Sequence, residues 1–261
     1  MTGARPLIDA RKLAIGYGSR VVARDIDVSL LAGEVVCLLG PNGSGKTTLF
    51  KTLLGLIGRL AGSISIAGRP IDSWRPSQLA LRQAYVPQAN VSVFPYRVLD
   101  MVLMGRTARL GLFAAPGAAD RERAWSALKL LGIAHLAERE YTRISGGQRQ
   151  LTLIARALAQ EAPSIIMDEP TASLDFGNQA MVLREVARLA KSGLGIVLST
   201  HHPDHAFAIA GRVLLLHDGR VIAEGPPREA LTRQRLEQVY GVPISLDPLP
   251  DGRLSCAPLL S

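Results

Sequence analysis

A run of glycines, a lysine and two adjacent carboxylates mark where this chain could do chemistry. Gly40-Pro41-Asn42-Gly43-Ser44-Gly45-Lys46-Thr47 has the spacing G-x-x-x-x-G-K-[ST]. Glycines so placed let backbone N–H groups curl around an anion, and a helix opening near Gly45 would add the positive end of its dipole. Lys46 supplies a point charge for phosphate oxygens; the Thr47 hydroxyl is a hard oxygen ligand suited to Mg2+, and Thr48 continues the same turn. Far along the chain, Asp168 and Glu169 follow the apolar run Ser164–Met167. Two acids at the end of a buried strand are costly unless something cationic meets them. Asp168 suits Mg2+, directly or through water, and Glu169 is placed to polarise a water beside a terminal phosphate.

Such residues act together only if elements bring them together. Val35–Leu39 is a short apolar run ending at the glycine-rich turn, the pattern of a buried parallel strand, and a helix is expected over Gly45–Ile57. Ser164–Met167 and Ile196–Ser199 are two more buried strands. Between them Gln179–Lys191 carries apolar residues at helical spacing, so strand–helix–strand units and a parallel sheet are expected. Val98–Arg106, Asp120–Leu131 and Gly147–Gln160 read as successive helices with no strand between them. Leu7–Leu30 and Ser63–Ile66 alternate as half-buried antiparallel strands, and Asp218-Gly219 predicts a hairpin turn between Val213–Leu216 and Val221–Ala223. The expected fold is therefore α/β: a P-loop core on a parallel sheet, an N-terminal antiparallel β subdomain and an inserted α-helical lobe. One domain is expected over residues 5–240, its core at 5–90 and 161–225 and its lobe at about 91–160, followed by a short extension, 241–261, that forms a strand pair or a loose tail.

Ile144-Ser145-Gly146-Gly147-Gln148 adds a second Gly-rich helix start. With the two motifs above, it resembles the ABC-type ATPases, whose signature begins with Leu where this chain has Ile144. The resemblance covers about residues 5–240. It implies a head-to-tail homodimer in which Ser145, Gly146, Gly147 and Gln148 of one copy close on ATP held by the other copy. It also implies that Tyr17 stacks on adenine, that Gln88 touches Mg2+ and the attacking water, and that Ser173-Leu174-Asp175 is the loop crossing the dimer interface. His201 matches a switch histidine facing the γ-phosphate. ATP and Mg2+ are the implied ligands. His202 stands where many relatives carry Asp and receives no catalytic role. By number His201, His202 and His205 suggest zinc, but they lack the cysteine or carboxylate partners of a zinc site.

A net charge of +8 could favour nucleic acid, yet the basic residues are scattered. The one dense patch, Arg228–Arg235, reads as a solvated helix face, so no nucleic-acid partner is expected. Long coiled coils, zinc modules and tandem cassettes, which mark ABC-type ATPases acting on DNA or ribosomes, are missing. A P-loop small-molecule kinase would leave Ile144–Gln148 and His201 without a use. Cys37 and Cys256 form no disulfide framework, and the first residues lack the apolar stretch of a secretory signal. No apolar run is long enough for a membrane span, so the pore is expected in separate integral-membrane permease subunits, fed indirectly by an extracytoplasmic solute-binding protein. The chain is then placed peripherally at the cytoplasmic face of the membrane. The apolar residues Val98, Leu99, Val102, Leu103 and Met104 are the expected permease dock. The stretches 98–106 and 200–206 look most like subunits serving iron–siderophore, haem and cobalamin uptake, with molybdate systems similar.

Overall fold

A computed structural model describes residues 5–88, 94–111, 114–172 and 174–259. The chain begins with β1 (Ile8–Tyr17) and β2 (Arg20–Leu30), then β3 (Val35–Leu39), α1 (Lys46–Leu53), β4 (Ala61–Ile66), β5 (Arg69–Pro70), α2 (Pro76–Ala80) and β6 (Gln83–Val86). A helical stretch follows: α3 (Val98–Leu103), α4 (Ala118–Leu130) and α5 (Gly146–Ala159). The chain then returns to the core through β7 (Ser164–Met167), α6 (Phe176–Lys191), β8 (Gly195–Thr200), α7 (Pro203–Ile209), β9 (Arg212–His217) and β10 (Arg220–Gly225). It ends with α8 (Pro227–Ala230), α9 (Arg233–Tyr240), β11 (Ile244–Pro248) and β12 (Leu254–Pro258).

The central sheet has the order β10-β9-β3-β8-β7-β6. Its inner pairs are parallel, and β10 closes the edge as an antiparallel hairpin with β9. Alternation along β3 explains its continuous apolar run: Val36 and Leu38 face one core, while Val35, Cys37 and Leu39 face another. The first core lies under the antiparallel sheet β2-β1-β4-β5 and α1; the second is covered by helices. Each fully buried aliphatic side chain here contributes roughly 1.5–3 kcal/mol. Because the inner strands run parallel, their C-terminal ends lie along one edge of the sheet. The loops that follow β3, β6, β7 and β8 therefore share one crevice.

Several expected elements shift at their ends. The helix after the glycine-rich turn stops at Leu53 instead of Ile57, closed by bonds from Gly55 N–H to Thr52 carbonyl and from Leu56 N–H to Lys51 carbonyl. The helix expected over Val98–Arg106 is α-helical only to Leu103 and then tightens to a 3-10 segment, Met104–Arg109. Arg106, 7% exposed, turns inward there and pairs with Asp120 at 2.9 Å and Glu161 at 2.7 Å, joining α4 to the approach to β7. The expected permease dock is corrected. Val98, Leu99, Val102 and Leu103 are at most 7% exposed because they pack against α4 and α5; only Met104, 40% exposed, faces outward. The arginines of 228–235 also do more than meet water. Arg235 donates to the carbonyls of Glu229 and Ala230, and Arg228 to the carbonyl of Gly252. Asp218 and Gly219 both take positive φ, as the hairpin turn between β9 and β10 requires. No helix among the described residues is long and apolar enough to cross a membrane.

Candidate functional site

The glycine-rich turn leaves β3 and enters α1 through Gly45, whose φ of 99° is open to glycine and strained for other residues. At Gly40 a side chain would meet the Leu216 carbonyl at 2.5 Å, so that position is closed to any Cβ. α1 has no side-chain cap and no acid in its first turn. Its first N–H groups are therefore free to meet an anion. The buried Lys46 ammonium donates to the carbonyls of Gly40 at 2.8 Å and Pro41 at 3.0 Å and lies 3.5 Å from Glu169 Oε1. Asn42, Lys46, Thr47, Thr48, Gln88 and Glu169 line one cleft of about 340 Å³. The Ser44 hydroxyl beside it is buried without a partner among the described residues.

Asp168 and Glu169 part company at the end of β7. Asp168 is 4% exposed and held by neighbours. Its Oδ1 accepts from the Ser199 hydroxyl at 2.7 Å, and the Tyr85 phenol lies within its electrostatic reach. Burial, with help from Asp168, pushes the Tyr85 phenol up to about 12, so it remains a donor at neutral pH. Glu169 adopts a φ of 45°, and its N–H donates to Ser199 Oγ at 2.8 Å. Ser199 thus serves both acids, turning one inward and the next toward the cleft. Left-handed backbone at a residue other than glycine is the kind of strain that collects at working sites.

His201 follows β8 and places Nδ1 3.4 Å from Glu169 Oε2, within ionic reach but without hydrogen-bond geometry. His202 stacks beside it, ring centroids 4.1 Å apart, and His205 follows at 4.9 Å. His205 is buried against the hydroxyls of Thr200 at 3.0 Å and Thr171 at 3.3 Å, and burial lowers its pKa to about 4. Burial also lowers His202, with His201 adding to the effect. No group of three or more His, Cys, Asp or Glu among the described residues could hold a metal, so these histidines form no zinc cage.

The second glycine-rich segment lies elsewhere. Ser145 caps α5: its Oγ accepts from Gln148 N–H at 3.3 Å, and Gln148 Oε1 accepts from Ser145 N–H at 3.0 Å. Gly147 packs so closely on Asn178 that a Cβ would lie 2.3 Å from its amide oxygen. Asn178 is itself bonded twice to Asp175, the cap of α6. Ser145–Gln148 therefore adjoins Asp175. Neither this pair nor Tyr17, half exposed at the end of β1, lines the phosphate-sized cleft. Ser173 lies outside the described residues. Reading the sequence missed Ser199, Tyr85, Thr171 and Thr200, and met His205 only as a member of the histidine cluster. Hydroxyls closing the apolar strand Gly195–Thr200 were the one available signal; nothing local singled out the others.

A Gly-rich loop cradled on a parallel sheet, with a lysine, a carboxylate and hydroxyls around one cleft, defines a nucleoside-triphosphate-binding P-loop protein. A family model described as ABC transporter matches residues 23–172. An ABC transporter ATP-binding protein of Haemophilus influenzae, itself uncharacterised, is 43% identical over 90% of this chain and 89% of its own length. The hemin import ATP-binding protein HmuV of Streptomyces coelicolor is 39% identical over 94% of this chain and 86% of its own. A chain from an inward-facing ABC transporter of metal-chelate type superposes with a TM-score of 0.86 at 35% identity, covering 98% of both chains. The chain belongs to the ABC transporter family. It is an ATP-binding subunit of that family, an ATPase coupled to transport.

Proposed function

We propose that this chain energises import of a metal chelate, an iron–siderophore complex, haem or cobalamin, by hydrolysing ATP as a homodimer beneath a separate membrane permease. The observation that carries the ATPase part is the single cleft where Lys46, Thr47, Gln88 and Glu169 meet at the bare start of α1. The solute class is supported by the likeness to hemin import subunits and to a metal-chelate type transporter.

In this reading the phosphates of ATP lie on the N–H groups of Gly43 to Thr48, with Lys46 leaving its carbonyl contacts to pair with them. Tyr17 offers its half-exposed ring to the adenine. Mg2+ suits the donors present, which are hydroxyl, amide and carboxylate oxygens: Thr47, Gln88 and Asp168 would hold it, the last through water. When bound it offsets the charge of the phosphate oxygens. The Ser199 bond keeps Asp168 aimed. Glu169 takes the proton of the attacking water, and His201 beside it faces the γ-phosphate. The cleft of one copy has no part of Ser145–Gln148, so a second copy would bring Ser145, Gly146, Gly147 and Gln148 to the phosphates. Asp175, beside Gly147, would cross the same interface.

The permease would enter a groove of about 570 Å³ between core and helical layer, lined by Ile57, Arg59, Trp74, Gln83, Met104 and Arg156. Among the described residues Gln83, 3% exposed, has both amide atoms unpartnered, and burial lowers the pKa of the Arg156 guanidinium beside it. An incoming helix with an apolar face and an acidic or carbonyl group would satisfy both. Such docking places the chain at the cytoplasmic face, with a solute-binding protein on the far side.

Uptake of labelled hemin, ferric siderophore and cobalamin by cells carrying Lys46→Ala tests the solute class. Loss of one uptake, with the others intact, assigns the solute. Wild-type uptake of all three removes the metal-chelate reading and turns attention to molybdate and other oxyanions.

A further inference from the structure

The C-terminal segment has no part in the cleft, yet it grips the residue that faces Glu169. His201 lies in the bend between β8 and α7. Its carbonyl has no ladder partner there, and the N–H that could reach it from the first turn of α7, that of His205, bonds to His202 instead. Tyr240, the last residue of α9, fills the gap: its phenol donates to the His201 carbonyl at 2.9 Å. The phenol is held in turn. Leu236 and Val239 of α9 are buried, and the Glu237 carboxylate accepts the Ile244 N–H at 3.0 Å, fixing the step from α9 into β11. On the other strand of that hairpin, Cys256 N–H points away from β11 and donates to Asp204 Oδ1 at 2.8 Å, in the first turn of α7. Arg228 ties the hairpin tip back to α8 through Gly252.

We propose that this segment is a clasp on the bend at 201–204 and that Tyr240 is the positioning residue that sets the His201 ring against Glu169. The phenol holds one face of the 201–202 peptide, and the bond from His202 N–H to Thr200 Oγ1 holds the other. Together they fix the plane from which the imidazole reaches the cleft. The proposal rests on the reading of His201 as a γ-phosphate-facing residue.

The test is steady-state ATP hydrolysis by the full chain, wild type against Tyr240→Phe, Cys256→Pro and His201→Ala, with melting temperatures alongside. Phe keeps the ring and removes one hydrogen bond; Pro at the outward edge of β12 removes the N–H that Asp204 accepts without breaking a bond of the β11–β12 ladder, and replaces the half-buried thiol. The clasp predicts that Tyr240→Phe lowers kcat roughly three- to ten-fold with the KM for ATP unchanged, as loss of one well-oriented hydrogen bond would. Cys256→Pro moves kcat in the same direction by less. Wild-type kcat in Tyr240→Phe beside an inactive His201→Ala overturns the clasp and leaves the reading of His201 standing. Wild-type kcat in His201→Ala removes that reading, and the clasp with it. If Tyr240→Phe fails to fold, Cys256→Pro decides: lower kcat at constant KM supports the clasp, and wild-type kcat overturns it.

Discussion

The starts of α1 and α5 are both glycine-rich, both free of acids in the first turn, and both able to present backbone N–H groups to an anion. They differ in what surrounds them. α1 has no side-chain cap, enters through a left-handed glycine, and shares its cleft with a buried lysine and a carboxylate. α5 is capped by its own Ser145 and Gln148, its first-turn cation Arg149 is spent on the Ile144 carbonyl at 2.7 Å, and it adjoins the Asp175 loop. An uncapped end with a lysine can hold phosphate unaided. A self-capped end must give up a 3.3 Å contact to do so, which fits the proposed role of closing on phosphate held by a second copy. In the proposed dimer the same backbone chemistry would serve capture at one end and completion at the other.

Substitutions can break this contrast at each end. Glu169→Gln, which spares both helix starts, is expected to lower kcat by roughly 10²–10⁴ while ATP still binds, checked by phosphate release beside equilibrium nucleotide binding. Lys46→Ala acts on capture itself: nucleotide affinity is expected to fall roughly 10- to 100-fold, read by titration with a fluorescent ATP analogue. Ser145→Ala should leave the affinity of a single chain for ATP unchanged and lower kcat about ten-fold. Mixing Lys46→Ala and Ser145→Ala chains then restores one complete site per heterodimer. Failure of the mixture to exceed either variant alone would remove the idea that α5 serves a second copy.

Two smaller effects concern stability. Gly147→Ala forces a methyl into Asn178 and is expected to cost about 1–3 kcal/mol, measured by urea unfolding and relieved only in part by Asn178→Ala, whose Cβ stays 2.9 Å from the new methyl. The smallest effect comes from His205. Its folded pKa of about 4 lies below the unfolded value of 6.5, so the unfolded chain binds the proton first. Stability from this group is full above pH 6.5 and is lost as pH falls toward 4, amounting to about 1 kcal/mol by pH 5.5. Unfolding curves at pH 7 and 5.5 should differ by that amount in the wild type and by less in His205→Asn.

Much of the site was legible as a string. Gly40–Thr47, Asp168-Glu169 and Ser145–Gln148 are local motifs, each written within a few residues, because a loop that wraps phosphate needs its glycines and lysine in adjacent turns. The family resemblance they carried agrees with the family model that matches residues 23–172. Buried runs such as Val35–Leu39 also declared the parallel sheet, since a strand covered on both faces must be apolar throughout. The apolar residues of α3 were harder, because hydrophobicity alone does not separate a docking face from a core face.

Tertiary structure alone decided the partnerships between distant residues. Ser199 meets Asp168 across 31 positions and Tyr240 meets His201 across 39, and no local spacing encodes either. Strand order makes the first: β8 lies beside β7, so the hydroxyl at the end of one reaches the acid at the end of the other. Packing of α9 against the core makes the second. The sequence by itself determined which groups could do the chemistry, because chemical type and short-range turn geometry are local. Which of them share a cleft, which caps satisfy themselves, and which arginine is left in the groove depend on chain segments meeting through space, so only the folded chain decides them.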